Sequence, residues 1–224
     1  MRYLITGATS GLGQSLVLAL REIGDITCIG RNPPDPAVRW DFDRAPMMET
    51  TKLLRDSPSP FDAVIHCAGV EVVAPLRMTS DEQYRKAMMC ADSAFAILRA
   101  AASKGVMADG GSIVLMSSVA AHRGSAGMVA YSAGKAAIEG MVRAAAAELA
   151  PRRIRVNAVA AGAFRSPMHD RITERMPSAS IDYYAKSHPL GFGPVEAVRD
   201  AVLGLLSESW TTGTVRIVDG GYLA

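Results

Sequence analysis

Ser118, Tyr131 and Lys135 are the residues whose types and spacing suggest chemistry. Tyr131 and Lys135 lie four apart in an alanine-rich stretch, residues 128–149, that holds many good helix formers and no proline. On a helix such a pair shares one face, so a phenol and an ammonium point the same way. Ser118 closes a short apolar run of Ile113, Val114, Leu115 and Met116, bounded by glycines before it and serines after it. That run reads as a buried strand and delivers a hydroxyl from its end. An ammonium beside a phenol favours the tyrosinate and lowers a pKa whose reference value is about 10. Tyr131 would then exchange a proton with a carbonyl or alcohol oxygen nearer to neutral pH, while Ser118 donates a hydrogen bond to that oxygen. The same three residues also fit an ordinary helix pair and a serine cap, so their surroundings must decide.

The elements that must position them alternate along the chain. Tyr3, Leu4 and Ile5 form a first strand, followed by the turn Thr6, Gly7, Ala8, Thr9, Ser10, Gly11, Leu12, Gly13 and a helical pattern over residues 14–23. Strand, glycine turn and helix present backbone N–H groups to a phosphate, with Gly7 for the turn, Gly11 for close approach and Gly13 for helix packing. Residues 26–29 read as a second strand ending at Gly30, with Arg31 beside it where an acid would select NAD. A guanidinium there suits a 2′-phosphate, which favours NADP, with NAD still possible. Pro33, Pro34, Asp35 and Pro36 form a stiff loop before a third strand at residues 38–40. Asp41 at its end either meets an adenine amino group or caps the short helix over residues 47–54.

Residues 61–66 read as a fourth strand, leaving at Ala68 and Gly69, small enough for a cofactor to approach. His66 there is either a hydrogen-bond donor to nearby backbone or a satisfied core histidine. A long helix follows over residues 81–104, with Met88, Phe95, Leu98 and Ala102 as an apolar face read as core or subunit contact. After the Tyr131 helix come a sixth strand over residues 155–159, ending at Gly162, and a stretch from 163 to 193 where the pattern dissolves into a substrate lid. A last helix (194–207) and a seventh strand (215–218) close the chain. The whole reads as one α/β domain, residues 1–224: a Rossmann-type, doubly wound parallel sheet of about seven strands with helices on both faces. Gly7, Arg31, Ala68, Ser118, Tyr131 and Gly162 all fall at or just after strand ends, where ligands bind in such sheets.

Composition narrows the classes. A length of 224 residues, 49% of them hydrophobic, suffices for one buried core, and a net charge of +2 without a basic stripe argues against nucleic acid. Three cysteines in apolar surroundings read as reduced thiols, and four histidines without paired ligand spacing argue against a metal. No apolar run approaches a membrane span and the first residues lack the apolar core of a signal peptide, so a cytoplasmic location is expected.

Taken together, from Thr6 and Gly7 through Tyr131 and Lys135 to Asp219, Gly220 and Gly221, the chain resembles the short-chain dehydrogenase/reductase family over essentially its whole length. The resemblance implies Tyr131 as acid/base, Ser118 as donor to the substrate oxygen, and Lys135 as ribose ligand and activator of Tyr131. It further implies Thr6 to Gly13 at the pyrophosphate, Asp41 at the adenine, residues 159–162 at the nicotinamide and Ser166 at the carboxamide or phosphate. Dimers or tetramers through the two long helices are also implied. Departures from the family pattern are His66 and Cys67 in place of two asparagines, Ala161 for a proline, Phe192 for an arginine, and Cys90 for the helix asparagine that holds a proton-relay water. Ser93, one turn from Cys90, is a candidate substitute. The leading expectation is an NADP(H)-dependent oxidoreductase that interconverts a ketone or aldehyde with an alcohol. The alternatives are a cofactor-binding scaffold with little or no turnover, and an epimerase or dehydratase using the same cofactor.

Overall fold

Leu4 and Ile5 illustrate how the sheet is built: successive strand residues face opposite sides, and both are fully buried. The computed structural model describes residues 1–32, 37–42, 47–174 and 178–224. In chain order the elements are β1 (Arg2–Thr6), α1 (Gly11–Leu20), β2 (Asp25–Gly30), β3 (Ala37–Arg39), α2 (Met47–Arg55), β4 (Phe61–His66), α3 (Asp81–Ala102), β5 (Met107–Ser118), α4 (Val129–Leu149), β6 (Arg155–Ala161), α5 (Pro167–Thr173), α6 (Ser178–Lys186), α7 (Val195–Ser207) and β7 (Val215–Val218). All pairings are parallel and the strand order is β3-β2-β1-β4-β5-β6-β7, with the three-residue β3 on one edge. The chain winds outward from β1 to β3, then crosses to β4 on the other side. That reversal opens a crevice at the carboxyl ends of β1 and β4.

Two cores flank the sheet. On one face Leu4, Val64, Ile113 and Leu115 pack with Leu54 of α2, Ile97 of α3 and Ile138 and Val142 of α4. On the other, Ile5, Ile65, Val114 and Met116 pack with Leu12 and Leu16 of α1 and Val198, Val202 and Leu205 of α7. Near-continuous Val, Ile and Leu runs suit strands covered on both sides.

The structure alters three expectations. The buried face of α3 is made largely of small residues, Ala87, Cys90, Ala91, Ala94 and Ala101, with Ile97 and Leu98, whereas Phe95 is 45% exposed. Small residues let α3 and α4 approach closely, which an apolar-pattern reading weighted to bulky side chains misses. The stretch from 163 to 193 is not irregular; it folds into α5 and α6, whose lengths of 7 and 9 residues are short for a periodic signal. The third strand ends at Arg39, and Trp40 instead donates its backbone N–H to Gly30 O and its Nε1 to Thr50 Oγ1. The proline loop at residues 33–36, and Arg175, Met176 and Pro177 of the expected lid, lie outside the described residues. Among the described residues no helix is long and apolar enough to cross a membrane.

Candidate active site

The crevice begins at the glycine turn. Gly7 has φ +67°, and a Cβ there would lie 2.8 Å from Ala68 N, so the turn and the exit of β4 touch through backbone. A Cβ on Gly13 would collide with Gly7 O, which fixes how closely α1 starts against β1. Ser10 caps α1 by accepting from Gly13 N at 3.0 Å. The N–H groups of Gly11 and Leu12 find no partner among the described residues and sit at the positive end of α1, as a pyrophosphate needs. The side chain of Leu12 belongs to the core, that of Thr9 is exposed, and that of Thr6 is fully buried. Ser166 and Pro167 approach Gly11 within 3.0–3.2 Å of where its Cβ would be, which places Ser166 beside the turn. Its Oγ accepts from His169 N at 3.2 Å, so it also starts α5. Gly162 donates to Val218 O at 2.9 Å and packs against Asp219.

A directional chain of hydrogen bonds underlies this turn. Ser93 Oγ donates to Met89 O at 2.7 Å, which leaves it to accept from His66 Nε2 at 2.9 Å. His66 Nδ1, without a proton, then accepts from Thr6 Oγ1 at 2.7 Å, and Thr6 Oγ1 accepts from Ala68 N at 3.3 Å. His66 is therefore a satisfied core histidine bonded to side chains, and burial pushes its pKa down to about 3, with Lys135 adding to the effect. Ser93 is committed to this chain and does not stand in at Cys90, whose Sγ donates to Ala87 O at 3.2 Å and abuts Gly134 of α4.

Ser118, Tyr131 and Lys135 come together at the end of β5 and the start of α4. Ser118 Oγ accepts from Ala120 N at 3.2 Å, capping a short 3-10 turn, and it lies near enough to Tyr131 to act on the ionisation of the phenol. The cap reading of this serine therefore holds. Lys135 Nζ donates to Met116 O at 2.8 Å and lies 5.6 Å from the centroid of the Tyr131 ring. The expected lowering of the Tyr131 pKa is not what this arrangement produces. Burial raises it well above 10, and the charge of Glu71 raises it further, with nearby Ser118 opposing. Burial also lowers the Lys135 pKa, opposed by Cys90, Cys67 and Glu71. A second carboxyl group lies along the same helix face, one turn beyond Lys135: Glu139 Oε1 accepts from Ser117 Oγ at 2.7 Å and from His122 Nε2 at 2.9 Å.

Glu139 and two further residues of this neighbourhood, Arg39 and Glu71, escape a sequence-only reading. Arg39 pairs in register with Gly30, so it and Arg31 are two exposed arginines at the end of β2 and β3. Only the strand register could have revealed it. Asp41 follows on the same edge. Glu71 lies two residues past Gly69, where a Cβ would be 3.7 Å from Lys135 Nζ, and its charge acts on Lys135, Tyr131 and Tyr184. Tyr184, from α6, is in turn pushed up to about 12 by burial and by Glu71.

The segment from 163 to 193 is closed at its base. Phe164 bridges to Gly193, Arg165 N donates to Gly193 O at 2.9 Å, and Gly193 N donates to Ala163 O at 3.0 Å. His188 accepts from Ala163 N at 3.3 Å and stacks on Tyr222 at 4.5 Å. Phe192 sits against His169, Tyr184 and His188 at 4.5, 5.6 and 5.8 Å between centroids.

Comparison with known proteins places this geometry among relatives. Residues 43–223 match the family model described as enoyl-(acyl carrier protein) reductase. The 3-oxoacyl-[acyl-carrier-protein] reductase FabG of Thermotoga maritima is 31% identical, over 97% of this chain and 96% of its own length. L-xylulose reductase of Bos taurus is 32% identical, over 100% of this chain and 96% of its own length. A solved short-chain type dehydrogenase/reductase from Mycobacterium ulcerans superposes with a TM-score of 0.87 at 30% identity, covering 99% of this chain and 89% of that one.

Proposed function

This chain belongs to the short-chain dehydrogenase/reductase family of oxidoreductases, and from that premise we propose that it is an NADP(H)-dependent reductase or dehydrogenase interconverting a ketone or aldehyde with an alcohol. The family uses nicotinamide dinucleotides, and the residues present suit one: a glycine turn with outward N–H groups at Gly11 and Leu12, and Ser166 alongside it. Such a cofactor, when bound, supplies a hydride to the carbonyl carbon or takes one from the alcohol carbon. Tyr131 gives the proton to the carbonyl oxygen in reduction and takes it back in oxidation. Ser118 donates a hydrogen bond to that same oxygen, and Lys135, held by Met116 O, binds ribose. Thr6 supports the turn from beneath, Asp41 lies at the adenine, and Ala68, Gly69 and Gly162 leave room for the cofactor.

The observation that carries this reading is Lys135 Nζ, held on Met116 O at 2.8 Å and 5.6 Å from the centroid of the Tyr131 ring, at the end of the strand that Ser118 closes. NADPH oxidation measured with a panel of aldehydes and ketones tests it, with Tyr131→Phe expected to lose about 10³-fold or more in kcat. Equal rates in the two proteins refute the role of Tyr131. The preference for NADP(H) is supported by exposed Arg31 and Arg39 flanking Gly30, where a guanidinium can grip a 2′-phosphate. Replacing both arginines by alanine is expected to reduce the NADPH over NADH preference by about 10-fold or more. Tyr84 and Phe95 on α3 and Val129 on α4 are exposed apolar residues on the two long helices, which supports a homodimer or homotetramer, measurable by light scattering.

A further inference from the structure

Glu139 is a buried carboxyl group, 7% exposed, that the proposed reaction does not use. Tyr131, Lys135 and Glu139 are spaced four apart on α4, so they share one face of that helix. Across from them lies the end of β5, where Ser117 continues the face of Ile113 and Leu115 that packs on Ile138 and Val142 of α4. Ser117 Oγ has one proton and two acceptors in reach, Glu139 Oε1 at 2.7 Å and Lys135 O at 3.4 Å, and the shorter bond goes to the carboxyl group. His122 Nε2 donates to the same Oε1 at 2.9 Å, from the far side of the 3-10 turn at residues 119–121. One oxygen on α4 therefore grips the chain one residue before Ser118 and four residues after it. Lys135 Nζ, on Met116 O at 2.8 Å, ties the strand ahead of Ser118. In a layer that is otherwise apolar, a leucine would fill this place without the cost of burying a carboxyl group, so the two bonds are what the polar side chain contributes.

We propose that Glu139 is a positioning residue for this reaction: by holding Ser117 and His122 it sets where the Ser118 hydroxyl stands relative to the Tyr131 phenol. This role rests on the reductase reading, in which both groups act on one substrate oxygen. Ser118 and Tyr131 come from different elements, the end of β5 and the start of α4, so the joint between those elements decides their alignment. Reacting groups need to be held within about 0.5 Å, and a misplacement of about 1 Å can cost about 10²-fold in rate. A turn fixed at Ser117 alone would be free to swing about the end of β5, and the second bond, from His122, removes that freedom. Glu139 touches neither substrate nor cofactor in this role. What the place requires is an acceptor oxygen that takes two hydrogen bonds, which a glutamine amide also offers.

The test measures NADPH oxidation with the carbonyl compound the wild type reduces fastest, in Glu139→Leu, Glu139→Gln and Ser117→Ala, each rate normalised to the protein that binds NADPH in a fluorescence titration. Glu139→Leu is expected to lose about 10–100-fold in kcat, with KM and the Kd for NADPH within about threefold. Glu139→Gln is expected to stay within about threefold of the wild type. Ser117→Ala, a small change that leaves the His122 bond in place, is expected to lose about 3–10-fold in kcat, and it decides the outcome if Glu139→Leu does not fold. The solvent deuterium isotope effect on kcat is expected to rise about 1.5-fold or more in Glu139→Leu and Ser117→Ala, because a misaligned proton transfer becomes the slower step. Loss of folded protein leaves that effect where it was, so a fall in kcat without the rise overturns the positioning role. Normalised kcat within about twofold of the wild type in Ser117→Ala, and in Glu139→Leu where it folds, overturns it too, as does a loss in Glu139→Gln as large as in Glu139→Leu. Each of these results leaves the reductase reading intact. A wild type that binds NADPH yet turns over no carbonyl compound overturns the reductase reading and this role with it.

Discussion

Two regions meet over Tyr131, and they are held in different ways. The framework at the ends of β1, β4 and β5 ties its polar side chains to one another: Thr6, His66 and Ser93 in one chain, Ser117, Glu139 and His122 in another, and Lys135 on Met116 O. The segment from 163 to 193 is joined to the body through backbone bonds at its base and an aromatic cluster of His169, Tyr184, His188, Phe192 and Tyr222. Hydrogen bonds fix angle and distance, while ring packing tolerates displacement. The first region is thus built to keep its groups in place, and the second allows the displacement that the proposed substrate lid needs.

If that contrast is right, damage to the first region strikes turnover and damage to the second strikes substrate affinity. The largest effect is expected for Lys135→Met, which removes the only charge-bearing donor to Met116 O among the described residues and the cation beneath Tyr131. A loss of about 10²–10³-fold in kcat is expected, with KM for the carbonyl substrate changed far less. A variant that raised KM alone would show that the framework binds rather than reacts.

Next comes the acid sensitivity of the framework. The folded pKa of His66, about 3, lies below the ordinary 6.5, so the unfolded chain takes up the proton first as pH falls. The stability due to neutral His66 is complete above about pH 6.5 and drains away as pH drops towards 3, roughly 2 kcal/mol of it by pH 5. Thermal unfolding followed between pH 7.5 and 5 should show the decline. His66→Asn, which cannot titrate there, should flatten it, and an unchanged slope in that variant would remove His66 as the cause.

The contrast also explains what could be read from the sequence. Strands buried on both faces announce themselves as Val, Ile and Leu runs, and the four-residue spacing of Tyr131 and Lys135 requires only that α4 be a helix. Both survive because they depend on local pattern. Glu139 reads as one more polar helix residue until β5 and the turn after it bring Ser117 and His122 to it. Glu71 is a lone acid in a loop, and Arg39 acquires its place only from the register of β2 with β3. The Tyr131 pKa goes against the spacing argument because burial, a property of the whole fold, and the charge of Glu71 raise it. The segment from 163 to 193 looked structureless because α5 and α6 are too short to show a period, and α5 starts on a Ser166 cap that is as easily read as a loop serine.

A smaller effect is expected in the segment from 163 to 193. Phe192→Ala removes three ring contacts, each worth about 0.5–1.5 kcal/mol, from a cluster that holds α6 near Tyr131. KM should rise about 3–10-fold with kcat within about twofold, and amide exchange should quicken in residues 178–193 while β5 and α4 stay protected. Faster exchange spreading into α4 would mean that the two regions are one cooperative unit.

The smallest effect is expected at Cys90, and it bears on whether the framework is complete. Its thiol donates to Ala87 O and packs against Gly134, leaving little room: a Cβ on Gly134 would sit 3.1 Å from Sγ. Asparagine there adds an amide at the back of Lys135 but must push into the contact between α3 and α4, an overpacking that typically costs about 1–3 kcal/mol. A framework whose polar groups are already satisfied has little use for the added amide, so Cys90→Asn should change kcat by less than about threefold and lower the melting temperature slightly. A rise in kcat of about 10-fold would mean that the native chain lacks a proton path that the amide restores. That result would turn the contrast around, because the well-ordered framework would then be holding a cofactor without driving its chemistry, and the cofactor-binding scaffold would become the better description.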